Sequence, residues 1–188
     1  METQNVSCII LAGGKGSRMG GADKGLVPFF GKPMIEHVIE RIQPQVDDIV
    51  ISANRNLETY KKYTPNVVSD EVDDYPGPMA GIAAALPLCK HELVLVVACD
   101  MPMLPNDLVN KLLAVMDNND ACITRQAGQL QLLFIIRKPL HSSIKNALDQ
   151  GEYKLMRWLK QQLAVIEVDT VVKLNNINST QDLNNYNS

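Results

Sequence analysis

The sequence predicts an α/β fold of three layers, α/β/α, built on a mostly parallel sheet. Three observations carry this. Strand-like and helix-like segments alternate along the chain, which is the pattern of βαβ units. The strand segments 6–12 and 92–98 are nearly continuous apolar runs, as strands covered on both faces require. A glycine-rich stretch, Leu11-Ala12-Gly13-Gly14-Lys15-Gly16-Ser17-Arg18-Met19-Gly20-Gly21-Ala22-Asp23-Lys24-Gly25, follows the first run directly. Ligand loops sit in that place, at the carboxyl end of a parallel strand.

Each element has a local reason. Residues 6–12 (VSCIILA) form the first strand. After the glycine loop, Gly31-Lys32-Pro33 opens a helix in which Ile35, Val38, Ile39 and Ile42 recur at i, i+3, i+4 and i+7. Proline suits a first turn because it has no N–H to leave unpaired there. Residues 46–53 are a second strand, Asn56 caps a short helix to 63, and 66–69 is a short third strand. An acidic run, Asp70, Glu71, Asp73 and Asp74, leads into Tyr75-Pro76-Gly77-Pro78, where two prolines forbid regular structure. Residues 79–86 form a helix whose alanines permit close packing on a sheet. Residues 92–98 are the most apolar strand and are placed at the sheet centre. A helix over 106–116 puts Leu108, Leu112, Val115 and Met116 on one face. Strands at 120–124 and 131–137, helices at 140–148 and 153–161, and a strand at 164–168 follow. Ser179-Thr180-Gln181-Asp182 matches a capping box, so a short helix closes the chain. Neither a repeat nor a linker interrupts it, and residues 1–188 are expected to form one domain.

Composition narrows the function. Hydrophobic residues at 46% and charged residues at 21% are ordinary for a globular protein. A net charge of −3 argues against a broad basic face for nucleic acid, so any phosphate site is a local pocket. The first five residues carry no signal-peptide pattern, and the longest strongly apolar run, 93–99, is far too short for a bilayer. A cytoplasmic protein without membrane contact is expected. Cys8, Cys89, Cys99 and Cys122 form no CxxC pair and read as buried free thiols. His37, His91 and His141 lack the spacing of zinc ligands.

The loop is a phosphate cradle by its chemistry. Glycine lets successive backbone N–H groups face a ligand, and such a row makes an anion-binding concavity. Lys15, Arg18 and Lys24 add positive charge, Arg18 as a fork for phosphate oxygens. The spacing is not that of a Walker A loop, because Lys24 stands between Asp23 and Gly25. It is not the dinucleotide fingerprint either, since Met19 stands where a glycine is required. An NAD-dependent oxidoreductase is thereby set aside. Asp100 follows the central strand in Cys99-Asp100-Met101-Pro102 and faces the loop in this topology. A Mg²⁺ ion takes one or two protein carboxylates and fills its shell with phosphate oxygens and water, so Asp100 is the candidate metal ligand. Asp70, at the third strand end, can accept hydrogen bonds from a ribose or a base edge. Gly77 and Gly81 bracket a helix start where backbone can approach a ligand.

These residues resemble a known family. The loop looks like the signature of nucleotidyltransferases with a Rossmann-like sheet, and its Met19-Gly20-Gly21-Ala22-Asp23-Lys24 form is closest to the molybdenum cofactor guanylyltransferases. Gly31-Lys32-Pro33, Ala53-Asn54-Arg55, Asp70 with Asp74-Tyr75-Pro76-Gly77-Pro78-Met79-Ala80-Gly81, Cys99-Asp100-Met101-Pro102 and Asn176-Ile177-Asn178-Ser179 agree in the family's order.

The resemblance implies a three-layer Rossmann-like nucleotidyltransferase fold. It implies transfer of GMP from Mg-GTP to molybdenum-molybdopterin, with pyrophosphate released. Residues about 1–104 would bind the nucleotide and about 105–188 the acceptor. Leu11, Ala12 and Gly13 would meet GTP through backbone, with Gly14 beside them. Lys24 would bind phosphates with Arg18, Asp70 would meet the nucleoside, and Asp100 would hold Mg²⁺ (or Mn²⁺). Gly81, Lys154, Asn176 and Asn178 would lie toward the acceptor, and molybdopterin-delivery and molybdoenzyme-maturation proteins are the expected partners. This chain has Ser52 where relatives can have an asparagine near the nucleoside. It has Tyr153-Lys154 where some relatives have an arginine pair, and Gln131-Leu132-Leu133-Phe134 as a loose version of their Q-P-L-F strand. The alternatives are a nucleotidyltransferase of the same fold using CTP or a sugar phosphate, and a nucleotide-binding protein without catalysis.

Overall fold

The computed structural model describes residues 5–14, 21–70, 77–161 and 165–169. In chain order the elements are β1 (Val6–Leu11), β2 (Pro28–Phe29), β3 (Lys32–Pro33), α1 (Met34–Ile42), β4 (Asp48–Ser52), α2 (Leu57–Tyr60), β5 (Val67–Val68) and α3 (Pro78–Ala85). There follow β6 (Leu93–Ala98), α4 (Leu108–Met116), β7 (Ala121–Gln126), β8 (Gln129–Arg137), α5 (His141–Asp149), α6 (Leu155–Gln161) and β9 (Val165–Asp169). The closing helix expected after Ser179 lies outside the described residues.

Among the described residues seven strands form one sheet, in the order β5-β4-β1-β6-β8-β7-β9. The apolar β6 occupies its centre, as its composition predicts. β5, β4, β1 and β6 run parallel, β8 runs antiparallel to β6 and to β7, and β9 is parallel to β7. The sheet is therefore mostly parallel, with one reversed strand.

That reversal is a hairpin which the apolar pattern alone does not reveal. Its turn is Ala127-Gly128, with φ of 49° and 77°. A smaller hairpin, β2–β3, turns at Phe30-Gly31, with φ of 45° and 83°. Two consecutive left-handed residues match the twist of the strands they join, and a glycine in the second position lowers the strain.

The period of two along each strand divides the core into two halves. Cys8 and Ile10 of β1, with Leu95 and Val97 of β6, face α1 and α4 through Ile35, Val38, Ile42, Leu108 and Leu112. Ile9 and Leu11, with Val94 and Val96, face α3, α5 and α6 through Met79, Ile82, Ile144, Trp158 and Leu159. Each fully buried Ile or Leu contributes roughly 1.5–3 kcal/mol. The solid apolar β1 and β6 are thus explained, because both faces of the sheet are covered.

Two local expectations shift. Pro33 stands just before α1 rather than inside it. Asn56 precedes α2 with φ 53° and makes no side-chain cap. Its amide instead donates to Asp23 Oδ2 at 2.9 Å, and the helix spans only Leu57–Tyr60.

Candidate functional site

The strand order reverses beside β1: the chain passes from β1 to β4 and β5 on one side, then to β6 on the other. Ligand crevices form at the carboxyl ends of strands flanking such a point. The register makes this end level. Leu11 pairs with both Ser52 and Ala98, and Ser52 pairs with Val68. Ala12 N–H donates to Ser52 O, Ala53 N–H to Val68 O and Cys99 N–H to Leu11 O, so the ladder runs one residue further. Gly13, Asn54, Asp70 and Asp100 each stand two positions beyond their strand's end, and so emerge together.

Across this edge Lys24 Nζ donates to Asp100 Oδ2 at 2.8 Å. The side chains are 24% and 13% exposed, so the pair is shielded yet open to an arriving ligand. Asp100 Oδ1 is buried and has no hydrogen-bond partner among the described residues. A buried carboxylate oxygen left unbonded fits a divalent cation, which would satisfy it. Among the described residues no three His, Cys, Asp or Glu side chains gather. One carboxylate beside a glycine-rich stretch would suit Mg²⁺, which takes most of its shell from phosphate and water.

Lys24 owes its place to the residues around it. It begins a 3₁₀ turn, Lys24–Leu26, closed by Leu26 N–H on Asp23 O. Asp23 is buried; Tyr60 Oη donates to its Oδ1 at 2.6 Å and Asn56 Nδ2 to its Oδ2 at 2.9 Å. Burial, and then this bond, push the Tyr60 hydroxyl well above its ordinary range, so it stays a donor. A Cβ on Gly25 would stand 2.5 Å from Tyr60 Oη, so glycine is required beside the lysine. Burial, and then the Asp100 charge, likewise raise the Cys99 thiol far above its usual value, which keeps it inert.

Arg55 spans the loop. It donates from Nη2 to Gly14 O at 3.0 Å and to Ala22 O at 2.9 Å, and from Nη1 to Gly21 O at 2.7 Å. Asn54 holds the next carboxylate. Its Nδ2 donates to Asp70 Oδ2 at 2.9 Å, while its Oδ1 accepts from Ser69 Oγ at 3.1 Å and from Asp70 N–H at 3.2 Å. Sequence reasoning assigned no role to either residue. The signal available was their position, directly after a buried strand and level with Gly13.

Leu11, Ala12, Gly13, Gly14, Lys24, Asp70 and Asp100 share the crevice edge. Ser52 is 1% exposed and faces α3, where a Cβ on Gly81 would lie 2.6 Å from its Oγ. Ser52 and Gly81 thus pack together beneath the edge. Lys154 is exposed, and its N–H donates to Glu152 Oε1 at 2.9 Å. The adjacent Tyr153 carbonyl lies 3.8 Å from where a Cβ of Gly77 would be, which brings this segment to the start of α3. Arg18, Asn176 and Asn178 lie outside the described residues. Among the described residues no helix is long and apolar enough to cross a membrane.

The chain is similar to known proteins over most of its length. Residues 8–165 match the family described as MobA-like NTP transferase domain. The chain is 44% identical over 167 residues to a molybdenum cofactor guanylyltransferase of Shewanella halifaxensis, covering 87% of this chain and 84% of the relative. It is 40% identical over 183 residues to the enzyme of the same name from Pseudomonas putida, covering 94% and 95%. Among solved structures, molybdopterin-guanine dinucleotide biosynthesis protein A from Archaeoglobus fulgidus superposes with a TM-score of 0.77 at 24% identity, covering 96% of each chain.

Proposed function

The chain belongs to the family of MobA-like NTP transferase domains, and from that premise we infer that it is a molybdenum cofactor guanylyltransferase. It transfers GMP from GTP to molybdenum-molybdopterin. An oxygen of the acceptor's phosphate attacks the α-phosphorus of GTP, the bond from that phosphorus to the bridging oxygen breaks, and pyrophosphate leaves with the electron pair. The nucleophile is already ionised near neutral pH, so no general base is needed. The work left to the protein is alignment and neutralisation of charge.

The observation that carries this reading is the Lys24–Asp100 pair at the carboxyl edge of β1 and β6. On GTP binding Lys24 turns from Asp100 to the phosphates, where its ammonium offsets the charge that builds on the leaving pyrophosphate. Asp100, with its unbonded Oδ1, is the residue that would hold Mg²⁺ (or Mn²⁺). The ion's contribution, when bound, is to neutralise phosphate charge. The N–H groups around Gly13 and Gly14 face the phosphates, with Arg18 as a further cation. Asn54 presents Asp70 to the nucleoside. Ser52 and Gly81 support the crevice edge from below. Lys154, Asn176 and Asn178 are assigned to the acceptor.

On this reading, residues about 1–104 serve the nucleotide and about 105–188 the acceptor. Proteins that deliver molybdopterin and that mature molybdoenzymes are the partners the reaction calls for. A cytoplasmic setting accords with four free cysteines, all buried.

The test is pyrophosphate release with molybdenum-molybdopterin and Mg²⁺, comparing GTP with CTP, ATP and UTP. Turnover with GTP far above the others is expected. Preference for CTP, or nucleotide binding without release of pyrophosphate, overturns the assignment.

A further inference from the structure

We propose that Arg55 is a positioning residue that holds Gly14, at the end of β1, to Gly21 and Ala22, which lead to Lys24, before nucleotide arrives. The proposal rests on the nucleotidyltransferase reading above and concerns a side chain which that reading leaves without a role. Arg55 stands three residues past the end of β4, the strand that pairs with β1. Its guanidinium joins Gly14 O, where the loop leaves β1, to Gly21 O and Ala22 O, where the chain returns toward Lys24. All three acceptors are backbone carbonyls, so the Nη donors of Arg55 hold these two backbone segments to each other.

Two physical consequences follow. In a trans peptide the C=O and the next N–H point in opposite directions. Carbonyls of Gly21 and Ala22 drawn toward Arg55 therefore turn the N–H groups of Ala22 and Asp23 away from it. A cationic guanidinium is thus joined to the carbonyl side of the loop, and the donor side is left for an anion. Secondly, bonds that tie both ends of a glycine-rich loop in the free protein remove ordering entropy that a ligand would otherwise have to supply.

The same side chain bears on Lys24. Arg55 Nε lies 3.8 Å from Asp23 Oδ2, too long for a hydrogen bond but within ion-pair range, and Asp23 is the residue before Lys24. With Tyr60 and Asn56 on the same carboxylate, Arg55 completes a support behind the lysine. Lysine at position 55 would keep the charge and lose the fork, because an ammonium on a flexible stem cannot reach three carbonyls in one geometry.

The experiment compares the full-length wild-type protein with Arg55→Ala and Arg55→Lys. Three quantities are read: pyrophosphate release with Mg-GTP and acceptor, calorimetric affinity for GTP and for inorganic pyrophosphate, and thermal midpoint. Loss of charge-assisted bonds to backbone acceptors should weaken GTP and pyrophosphate binding by about 10- to 100-fold in both variants. Added guanidinium ion should restore part of the binding to Arg55→Ala and none to Lys24→Ala, a rescue that mere loss of packing does not show. Wild-type affinity in Arg55→Lys would overturn the proposal, since charge alone would then suffice. Undiminished affinity in Arg55→Ala would overturn it as well. If wild type fails to turn over GTP, the guanylyl-transfer reading falls, while the affinity ratios still decide the role of Arg55.

Discussion

Lys24 binds one oxygen of Asp100 at 2.8 Å and leaves the other buried and unbonded. A buried carboxylate oxygen without a partner is costly, and a second cation would satisfy it. On the proposed reading that cation is Mg²⁺.

Asp100→Asn should therefore abolish Mg-dependent guanylyl transfer, by at least about a hundredfold, as for other groups that meet transition-state charge directly. The fold should survive, because asparagine keeps the side chain's shape and an oxygen that can still accept from Lys24. Steady-state kinetics with circular dichroism checks both halves; full activity removes the metal assignment.

Lys24→Ala should raise the KM for GTP and lower kcat together, by about 10- to 100-fold in kcat/KM. On the proposed mechanism the lysine meets the phosphates in the ground state and the leaving charge in the transition state. An unchanged GTP affinity would count against its phosphate role.

Gly81→Ala should destabilise the protein by about 1–3 kcal/mol, the cost of forcing an extra methyl into a packed interior. The new methyl meets Ser52 Oγ at 2.6 Å. Ser52→Ala removes that oxygen, so the double variant should recover most of the loss. Denaturant titration of all four proteins measures the coupling, and simple additivity would show that the clash lies elsewhere.

The buried thiols make the protein sensitive to alkali. Burial raises Cys8 well above the ordinary value of 9.0, Cys122 to about 11 and Cys89 to about 12. It also raises Tyr63 from 10.0 to about 12, with the Glu36 hydrogen bond adding to it. Above about pH 9 the unfolded chain releases these protons and the folded chain keeps them, so unfolding sheds protons and stability falls as pH rises. Below pH 9 these groups are protonated in both states and contribute no slope. Denaturation midpoints measured from about pH 8 to 10.5 should decline, and the four thiols should stay silent to a thiol reagent until unfolding. A flat profile with rapid labelling would contradict this.

Much of the site was readable from the chain because its parts follow strand ends. β1 and β6 announce themselves as solid apolar runs, and Asp100 and the glycine loop come directly after them. The β7–β8 hairpin was harder. Residues 120–137 carry strand-like composition, but composition does not tell a parallel return from a tight reversal; only Gly128 after Ala127 hints at the turn. Asn54 and Arg55 belong to a motif, Ala53-Asn54-Arg55, whose residue types alone give neither of them a task. Their importance lies in partners far along the chain, Asp70 for one and Gly14 with Gly21 and Ala22 for the other, and pairing of that kind is created by the fold. Ser52 and Gly81 illustrate the same point, since nothing in either segment shows that one oxygen occupies the space the other's missing side chain leaves.

The level ladder makes the sheet a measuring rod. Asp70, Asn54, Gly13 and Asp100 leave four adjacent strands, β5, β4, β1 and β6, at one height. From the first to the last is three strand spacings, about 14 Å. On the proposed reading, the distance between the group held at Asp70 and the group held at Asp100 is therefore set by the count of strands rather than by the reach of any side chain. Point substitutions at these positions would retune what is gripped at either end and leave that spacing in place.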